Sequence, residues 1–334
     1  MPQPAARKPG LFYATSDEGV ELPIVDVTHP EFALSVTPEE QQRIVEGWNS
    51  QQAPFKRLPT WLRRLLMKLV LRRSVLARAL GTANGTYLSG LNTYLLKLGP
   101  GNIEAVSREP IDRRLAASMP MISMRLRLQD VATLLAEFLT PVLLAAPNRP
   151  LHLLNIAGGP TMDSLNALIL LHRDQRATLA NRRIVITVLD LDTAGPAFGA
   201  RALAALGVPG GPLHGLQIEL RHRSYDWSRP TDLRPVLQAA ASENALLGVS
   251  SEGGLFDYGS DEEVVSNLQV LREQASVVVG SVTRADAVMK SMLTVSTVTL
   301  RPRGHRAFSA LAERAGWRTA RVIERPVNDE VALL

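Results

Sequence analysis

The sequence predicts an α/β protein: a doubly wound, mostly parallel sheet preceded by a helical part. Three observations carry that expectation. The first is Leu151-His152-Leu153-Leu154-Asn155-Ile156-Ala157-Gly158-Gly159-Pro160-Thr161, an apolar run that breaks into glycines and a proline and resumes at helical spacing with Leu165, Leu168 and Ile169. That pattern is a buried strand, a tight turn and a helix start. The second is Ile184-Val185-Ile186-Thr187-Val188-Leu189, β-branched and almost continuously apolar, as a strand covered by helices on both faces should be. The third is that such runs keep alternating with helical segments toward the end of the chain, which makes a parallel sheet whose ligands sit beyond the strand carboxyl ends.

The 334 residues suffice for one large domain or two, and a 46% hydrophobic content can fill a core. No run approaches the roughly 18 uninterrupted apolar residues of a membrane span. Met1 to Gly10 carry Pro, Gln, Arg and Lys where a signal peptide has an apolar centre, so the expected location is the cytoplasm. Cysteine is absent, which excludes disulfides, thiolate metal sites and a cysteine nucleophile. The net charge of +5 is mildly basic, and its meaning depends on where the charge sits.

Residues 1–10 read as a loose tail, and Val20, Leu22 and Ile24 as a short strand that Pro23 confines to a sheet edge. A helix starts at Thr37-Pro38-Glu39-Glu40, with Thr37 as N-cap, Pro38 in the first position and Glu40 as capping-box partner. Further on, Lys56, Arg57, Arg63, Arg64, Lys68, Arg72, Arg73 and Arg78 occur with no acid among them, while Leu62, Leu65, Leu66, Leu69, Leu76 and Leu80 keep helical spacing. A basic amphipathic helix is expected there. Its readings are a solvated face, peripheral contact with an anionic membrane surface, RNA docking, or contact with a phosphorylated substrate.

Gly81, Gly85, Gly90, Gly99 and Gly101 then punctuate a segment with Tyr87, Asn92 and Tyr94, a candidate mobile cover. Met119, Met121 and Met124 open a helical pattern that Pro141, Pro147 and Pro150 close; the methionines are either core or the lining of an adaptable apolar pocket. The expected division is a tail and short strand over 1–35, a helical cap serving as substrate or dimerisation region over 36–147, and the sheet domain over 148–334.

In the sheet domain, the strand over 184–189 ends in Asp190-Leu191-Asp192, where a carboxylate can accept two hydrogen bonds from a ribose cis-diol. Residues 216–220 lead to Tyr225-Asp226-Trp227, residues 245–249 lead to Ser250-Ser251-Glu252-Gly253-Gly254, and residues 276–282 form a fifth strand. A helix starts at Ser260 with Asp261, Glu262 and Glu263 in its first turn. After a helix that stops at Gly316, residues 318–324 and 328–334 pair as a closing hairpin.

This succession, from the glycine turn through Asp190 and Tyr225-Asp226-Trp227 to Ala315-Gly316-Trp317 and its hairpin, resembles the class I S-adenosylmethionine-dependent methyltransferases over about residues 150–334. The resemblance implies a seven-stranded Rossmann-like sheet of the methyltransferase type with an antiparallel C-terminal hairpin. It also implies S-adenosylmethionine as cofactor and S-adenosylhomocysteine as product. Ala157, Gly158, Gly159 and Pro160 would carry the methionine part, Asp190 the ribose, and Asp226 with Trp227 the adenine. Asn155, Asp192 and Ser251 complete the expected cofactor-binding set. The family's usual acid in the first strand is Asn155 here, its first glycine is Ala157 and its last is Thr161. The resemblance is therefore to a divergent member, in which attraction for the cofactor's ammonium has to come from elsewhere.

Methyl transfer needs a nucleophile held in line with the methyl carbon, and a hydroxyl acceptor is helped by a base within hydrogen-bond reach. Glu252 is the first candidate for that contact, with Tyr258 and His222 behind it. The histidines show no metal-ligand spacing, so no metal is expected. Without cysteine, the covalent route to pyrimidine C5 is closed. The Asn/Asp-Pro-Pro-Tyr/Phe/Trp tetrapeptide that in the family marks amino-methylation of nucleobases and glutamine is also absent. A small-molecule acceptor methylated on O or N is the expectation. Its competitors are an RNA methyltransferase docking through the 56–78 helix, a dinucleotide-dependent oxidoreductase, and a non-catalytic cofactor-binding partner subunit. Against the oxidoreductase, Ala157 to Thr161 lacks the Gly-x-Gly-x-x-Gly order. A homodimer is compatible with each.

Overall fold

The computed structural model describes residues 7–59, 62, 65–66, 70, 72–81, 89–286, 289 and 300–334. β1 (Tyr13–Thr15) and β2 (Glu21–Pro23) form a separate antiparallel ribbon. The main sheet comprises β3 (Leu151–Ile156), β4 (Arg183–Leu189), β5 (Gln217–Arg223), β6 (Leu246–Ser251), β7 (Val277–Thr283), β8 (Thr319–Glu324) and β9 (Asn328–Leu333). Their order is β5-β4-β3-β6-β7-β9-β8, parallel except for β9, which is antiparallel to both neighbours. This is the doubly wound seven-stranded sheet that the sequence implies. The chain steps outward from β3 to β5 and then lays β6 on the other side of β3, so the connections after β3 and β6 leave in opposite directions. A crevice opens at that switch point.

β3, β4, β6 and β7 are buried along nearly their whole length, so helices must cover both faces. One face carries the long helix Met119–Ala145 with helices Met162–Asp174 and Ala194–Leu206, sharing a core with Leu153, Ile186 and Val279. The other carries Arg234–Ser242, Asp261–Leu271 and Gly304–Arg314 around Leu154, Val249, Phe308 and Trp317. Each fully buried Leu or Phe in these layers contributes about 1.5–3 kcal/mol.

The long helix, which the sequence reading groups with the 36–147 cap, contributes Leu134, Leu135 and Leu139 to the same core as β3. It lies close because Gly248 of β6 faces it: an added Cβ there would stand 2.9 Å from Leu139 Cδ2. The helix continues past Pro141, where the sequence suggests a stop, and buried Arg182 meets its last turn by donating to the carbonyls of Leu143 and Ala146. By length and composition it could cross a bilayer, yet half of its most apolar window is buried. Its Asp130 receives both Nε and Nη2 of Arg325, at 2.6 and 2.9 Å.

In the N-terminal part, Thr37 and Glu40 exchange the expected capping-box bonds at 2.9 and 3.3 Å and start the helix Pro38–Arg57. The basic stretch does not continue as one helix. Ser74 interrupts it and Val75–Gly81 starts anew, because buried Asp112 accepts from Ser74 Oγ and from the Val75 and Leu76 amides. Arg63, Arg64, Lys68, Leu69, Gly85 and Tyr87 lie outside the described residues, as do the side chains of Lys56, Arg57 and Leu80.

The ribbon does not hang loose either. Tyr94 Oη donates to the Pro23 carbonyl at 2.6 Å and accepts from the Val25 amide at 3.1 Å. Asn166 donates to the Val25 carbonyl and accepts from the Val27 amide, at 2.9 and 2.8 Å. Residues 23–27 are thereby fixed between the short helix Gly90–Leu95 and the helix that follows the glycine turn.

Candidate functional site

The turn after β3 keeps the backbone of a glycine-rich loop without all of its glycines. Ala157 and Thr161 have φ of 54° and 55°, in the left-handed region, and Gly159 has φ of 48°. That region costs an L-residue about 1–2 kcal/mol. Gly158 leaves no room for a side chain, since an added Cβ would fall 1.6 Å from Asn155 Oδ1. Gly159 is pressed by two other segments: its added Cβ would lie 2.7 Å from Gly90 Cα, and one on Gly195 would lie 2.8 Å from Gly159 Cα. The sequence suggests glycines for the approach of a ligand; the close meeting of three chain segments requires them as well.

Below the turn, Asn155 is fully buried. Its Nδ2 donates to Thr161 Oγ1 at 3.0 Å, to Ser164 Oγ at 3.2 Å and to Asp163. Beside the turn, Asp190 accepts from the Gly159 amide with Oδ2 and from the Asp192 amide with Oδ1, both at 2.9 Å. Burial pushes its carboxyl above the usual range. Asp192 accepts from the Ala194 amide at 3.1 Å, which caps the next helix, and from the Gly90 amide at 3.0 Å.

The resulting cleft holds about 810 Å³ of atom-free space, open mouth included, and lies at the switch point between β3 and β6. Its floor and sides come from Ala157 to Pro160, Leu189 to Leu191, Tyr225, Trp227, Glu252 to Gly254 and Tyr258. Gly90, Thr93 and Lys97 close it from the N-terminal part, and Met124 and Arg127 from the long helix.

Two buried cations meet two acids in the wall. Lys97 Nζ donates to Glu252 Oε2 at 2.7 Å, with the side chains 8% and 7% exposed. Arg127 lies between Glu252 Oε1 at 3.5 Å and Asp257 Oδ2 at 3.4 Å. Burial raises the Asp257 carboxyl although Arg127 pulls it down. Burial also pushes the Tyr258 hydroxyl up to about 12, so at neutral pH it is a hydrogen-bond donor and not a base.

Of the residues expected from the sequence, Ala157, Gly158, Gly159, Pro160, Asp190, Trp227, Glu252 and Tyr258 line this one cleft. Asn155, Asp192, Asp226, Ser251 and His222 do not. Asn155 and Ser251 are sealed beneath it, and Asp192 is occupied by the helix cap and Gly90. Asp226 accepts from the Ser228 amide at 3.0 Å, leaving Tyr225 and Trp227 as the lining residues of its loop. His222 lies on the edge strand β5, with Nε2 at 2.9 Å from the Asp190 carbonyl. Gly90, from the segment read as a cover, and Met124, one of the methionines read as core or pocket lining, reach the cleft, whereas Met119 and Met121 are buried elsewhere; Thr93, Lys97 and Arg127 are lining residues that the sequence reading does not name. Among the described residues, His305, Glu324 and Asp329 group donor atoms within 4.8 Å, but the Arg284 guanidinium already stands 3.3 Å from Asp329 and 3.4 Å from Glu324.

No family model matches the chain, and no curated protein matches it in sequence. Among solved structures, it is similar to magnesium protoporphyrin IX methyltransferase from Synechocystis PCC 6803, crystallised with S-adenosylhomocysteine, at 12% identity over 65% of this chain and 87% of that one, with a TM-score of 0.42. It is similar to mitomycin 7-O-methyltransferase at 15% identity over 97% of this chain and 79% of that one, TM-score 0.38. A third is an S-adenosylmethionine-dependent methyltransferase from Aquifex aeolicus, at 12% identity over 63% and 91%, TM-score 0.36. On its own strand order, with β9 inserted antiparallel between β7 and β8 and a glycine turn after β3, the chain has the class I S-adenosylmethionine-dependent methyltransferase fold.

Proposed function

We propose that this protein transfers a methyl group from S-adenosylmethionine to an oxygen or nitrogen of a small-molecule metabolite. The observation that carries the reading is the convergence of the loops after β3, β4, β5 and β6 on one cleft at the switch point of the sheet. The residues present suit the cofactor. An ionised carboxylate offers about four lone-pair sites. Asp190 uses two of them on backbone amides, which leaves two for a ribose diol. Leu189, Leu191 and Trp227 offer apolar surface for an adenine.

When bound, S-adenosylmethionine supplies an electrophilic methyl on a sulfonium. Thr93, Lys97, Met124, Arg127 and Tyr258 also line the cleft, and we assign the acceptor to them. Glu252 is the acid that takes the acceptor's proton as the bond from oxygen or nitrogen to the methyl carbon forms and the sulfur–carbon bond breaks; Lys97 holds it in position. Tyr258 donates a hydrogen bond.

The second reading is a non-catalytic cofactor-binding partner subunit, favoured by the ion pair that already occupies Glu252. Calorimetric titration with S-adenosylmethionine, S-adenosylhomocysteine and a nicotinamide dinucleotide tests both. Micromolar binding of the first two alone, about 8 kcal/mol, supports the cofactor assignment. Binding without turnover across an acceptor panel supports the partner subunit, and binding of neither ligand overturns both readings.

A further inference from the structure

We infer that Asp163 supplies the fixed negative charge of the cofactor subsite and is a positioning residue for the glycine turn, acting through Asn155. This deepens the cofactor reading and rests on it. Asp163 stands in the first turn of helix Met162–Asp174, 1% exposed. Its Oδ1 accepts from the Ser164 amide at 2.8 Å and from Asn155 Nδ2. Its Oδ2 is buried with no hydrogen bond of good geometry, and the Ser250 side chain on β6 is the hydroxyl that favours its charged form.

The bond to Asn155 fixes the orientation of the carboxamide. Nδ2 turns toward Asp163, Ser164 Oγ and Thr161 Oγ1, so Oδ1 is left against the backbone of Gly158, where an added Cβ would fall 1.6 Å away. Thr161 is one of the two non-glycine residues of the turn in the left-handed region. The carboxylate of Asp163 thus reaches both ends of the turn through one amide.

Hydrogen bonding alone does not account for an acid here. An asparagine at 163 would offer the same Oδ1 acceptor without the desolvation cost of a buried charge. The charged groups coupled to Asp163 are Glu252 from the β6 loop and Lys97 from the N-terminal cover; Asn155, its partner on β3, is uncharged. Among the charged residues that line the cleft, Asp190 and Glu252 are matched by Lys97 and Arg127, so the carboxylate of Asp163, coupled to Glu252 and Lys97 from behind the lining, is the unmatched negative charge. That charge suits a ligand carrying a sulfonium and an ammonium. Burial, and then Glu252, push the Asp163 carboxyl up to about 6, so mild acidification removes the charge.

The test is calorimetric titration of the full chain with S-adenosylmethionine and S-adenosylhomocysteine between pH 5 and 7.5, with thermal unfolding in parallel. For the native sequence, affinity for both compounds, which share the ammonium, should rise across about pH 6, and at least as steeply for the sulfonium as for the thioether; affinities that stay flat for both overturn the inference without any variant. Asp163→Asn should weaken S-adenosylmethionine about tenfold at pH 7.5 and flatten its pH dependence. The exchange variant Asn155→Asp/Asp163→Asn, which moves the charge across one hydrogen bond, should recover most of the loss. Unchanged affinity and slope in Asp163→Asn overturn the inference and leave the cofactor reading standing. If the native protein binds neither ligand, the cofactor reading falls and the inference with it.

Discussion

Gly90 and Gly159 meet backbone to backbone, so closely that an added Cβ on Gly90 would lie 2.5 Å from Gly159 Cα. The contact seats the N-terminal cover on the glycine turn, and the Gly90 amide secures it by donating to Asp192. Neither partner is the movable end of a side chain, so the backbone itself would have to shift. Gly90→Ala should cost about 1–3 kcal/mol in thermal or urea unfolding, as overpacking does. Gly159→Ala should cost more, because it adds a left-handed backbone to the clash. A Gly90→Ala variant of native stability would show that the cover does not rest on the turn.

The Lys97–Glu252 pair joins the cover to the β6 loop in a nearly dry setting. Removing Lys97 takes away the nearer of the two cations on Glu252 and leaves Arg127 at 3.5 Å. Lys97→Met should therefore destabilise the fold by about 1–3 kcal/mol, less than the loss of a sole partner. Glu252→Gln should cost less, because its amide oxygen can still accept from Lys97, and it should lower turnover while leaving cofactor affinity intact. A double-mutant cycle in unfolding free energy should return a coupling of at least about 1 kcal/mol. Additive effects would reduce the pair to neighbours.

These two relationships mark where sequence reading stops. β3, β4, β6 and β7 are legible because strands buried on both faces are written as continuous apolar runs, and the helix starts at Thr37 and Ser260 because capping boxes are local. Asp190 and Glu252 are legible as cleft-lining residues because they follow directly on such strands. Lys97 and Arg127 arrive from elements more than 100 residues from Glu252 in sequence, and only folding unites them. A signal for them does exist: Lys97 lies within Leu95-Leu96-Lys97-Leu98, and Arg127 between Leu126 and Leu128. A charge inside an apolar run is buried, and a buried charge needs a partner. Asn155 was visible as a missing acid, but its bond to Asp163 depends on how tightly the turn closes.

Asp163 also gives stability a pH dependence of definite sign. Its native carboxyl is raised from 3.8 to about 6, so the folded state holds the proton more tightly than the unfolded chain. The stabilisation from that proton is complete below about pH 4 and is lost as pH rises through about 6. Asp190, Asp257 and Glu330, all raised by burial, act in the same direction. Asp163→Asn should therefore gain on the native sequence in melting temperature between pH 4 and pH 8. Parallel curves would mean that the carboxyl does not titrate in that window.

Ala157 holds a left-handed backbone at φ 54°. Glycine adopts that conformation without strain, against a larger loss of chain entropy on folding. Ala157→Gly should stabilise the protein by up to about 1 kcal/mol, read from the urea midpoint at unchanged slope. A loss of stability would mean that the methyl group's contact with the β6 loop at Gly254 outweighs the strain.

Asp190 separates a structural from a ligand-binding role, because its oxygens already serve the Gly159 and Asp192 amides. Asp190→Ala would leave both amides without their acceptor and should cost about 1–3 kcal/mol of stability together with cofactor affinity, which does not separate the roles. Asp190→Asn keeps one acceptor oxygen and the side-chain shape but loses the charge and half of the lone pairs offered to a diol. Its NH2 faces one of the two amides that Asp190 accepts from, so it should cost about 1–2 kcal/mol of stability while weakening S-adenosylhomocysteine roughly tenfold, equivalent to about 1.4 kcal/mol. The decisive comparison uses an S-adenosylhomocysteine analogue without ribose hydroxyls. If Asp190 holds the diol, the analogue binds the native protein and Asp190→Asn almost equally, because the interaction is already absent from both complexes. If Asp190→Asn weakens the analogue as much as the natural compound, the carboxylate acts on the turn and not on the ribose.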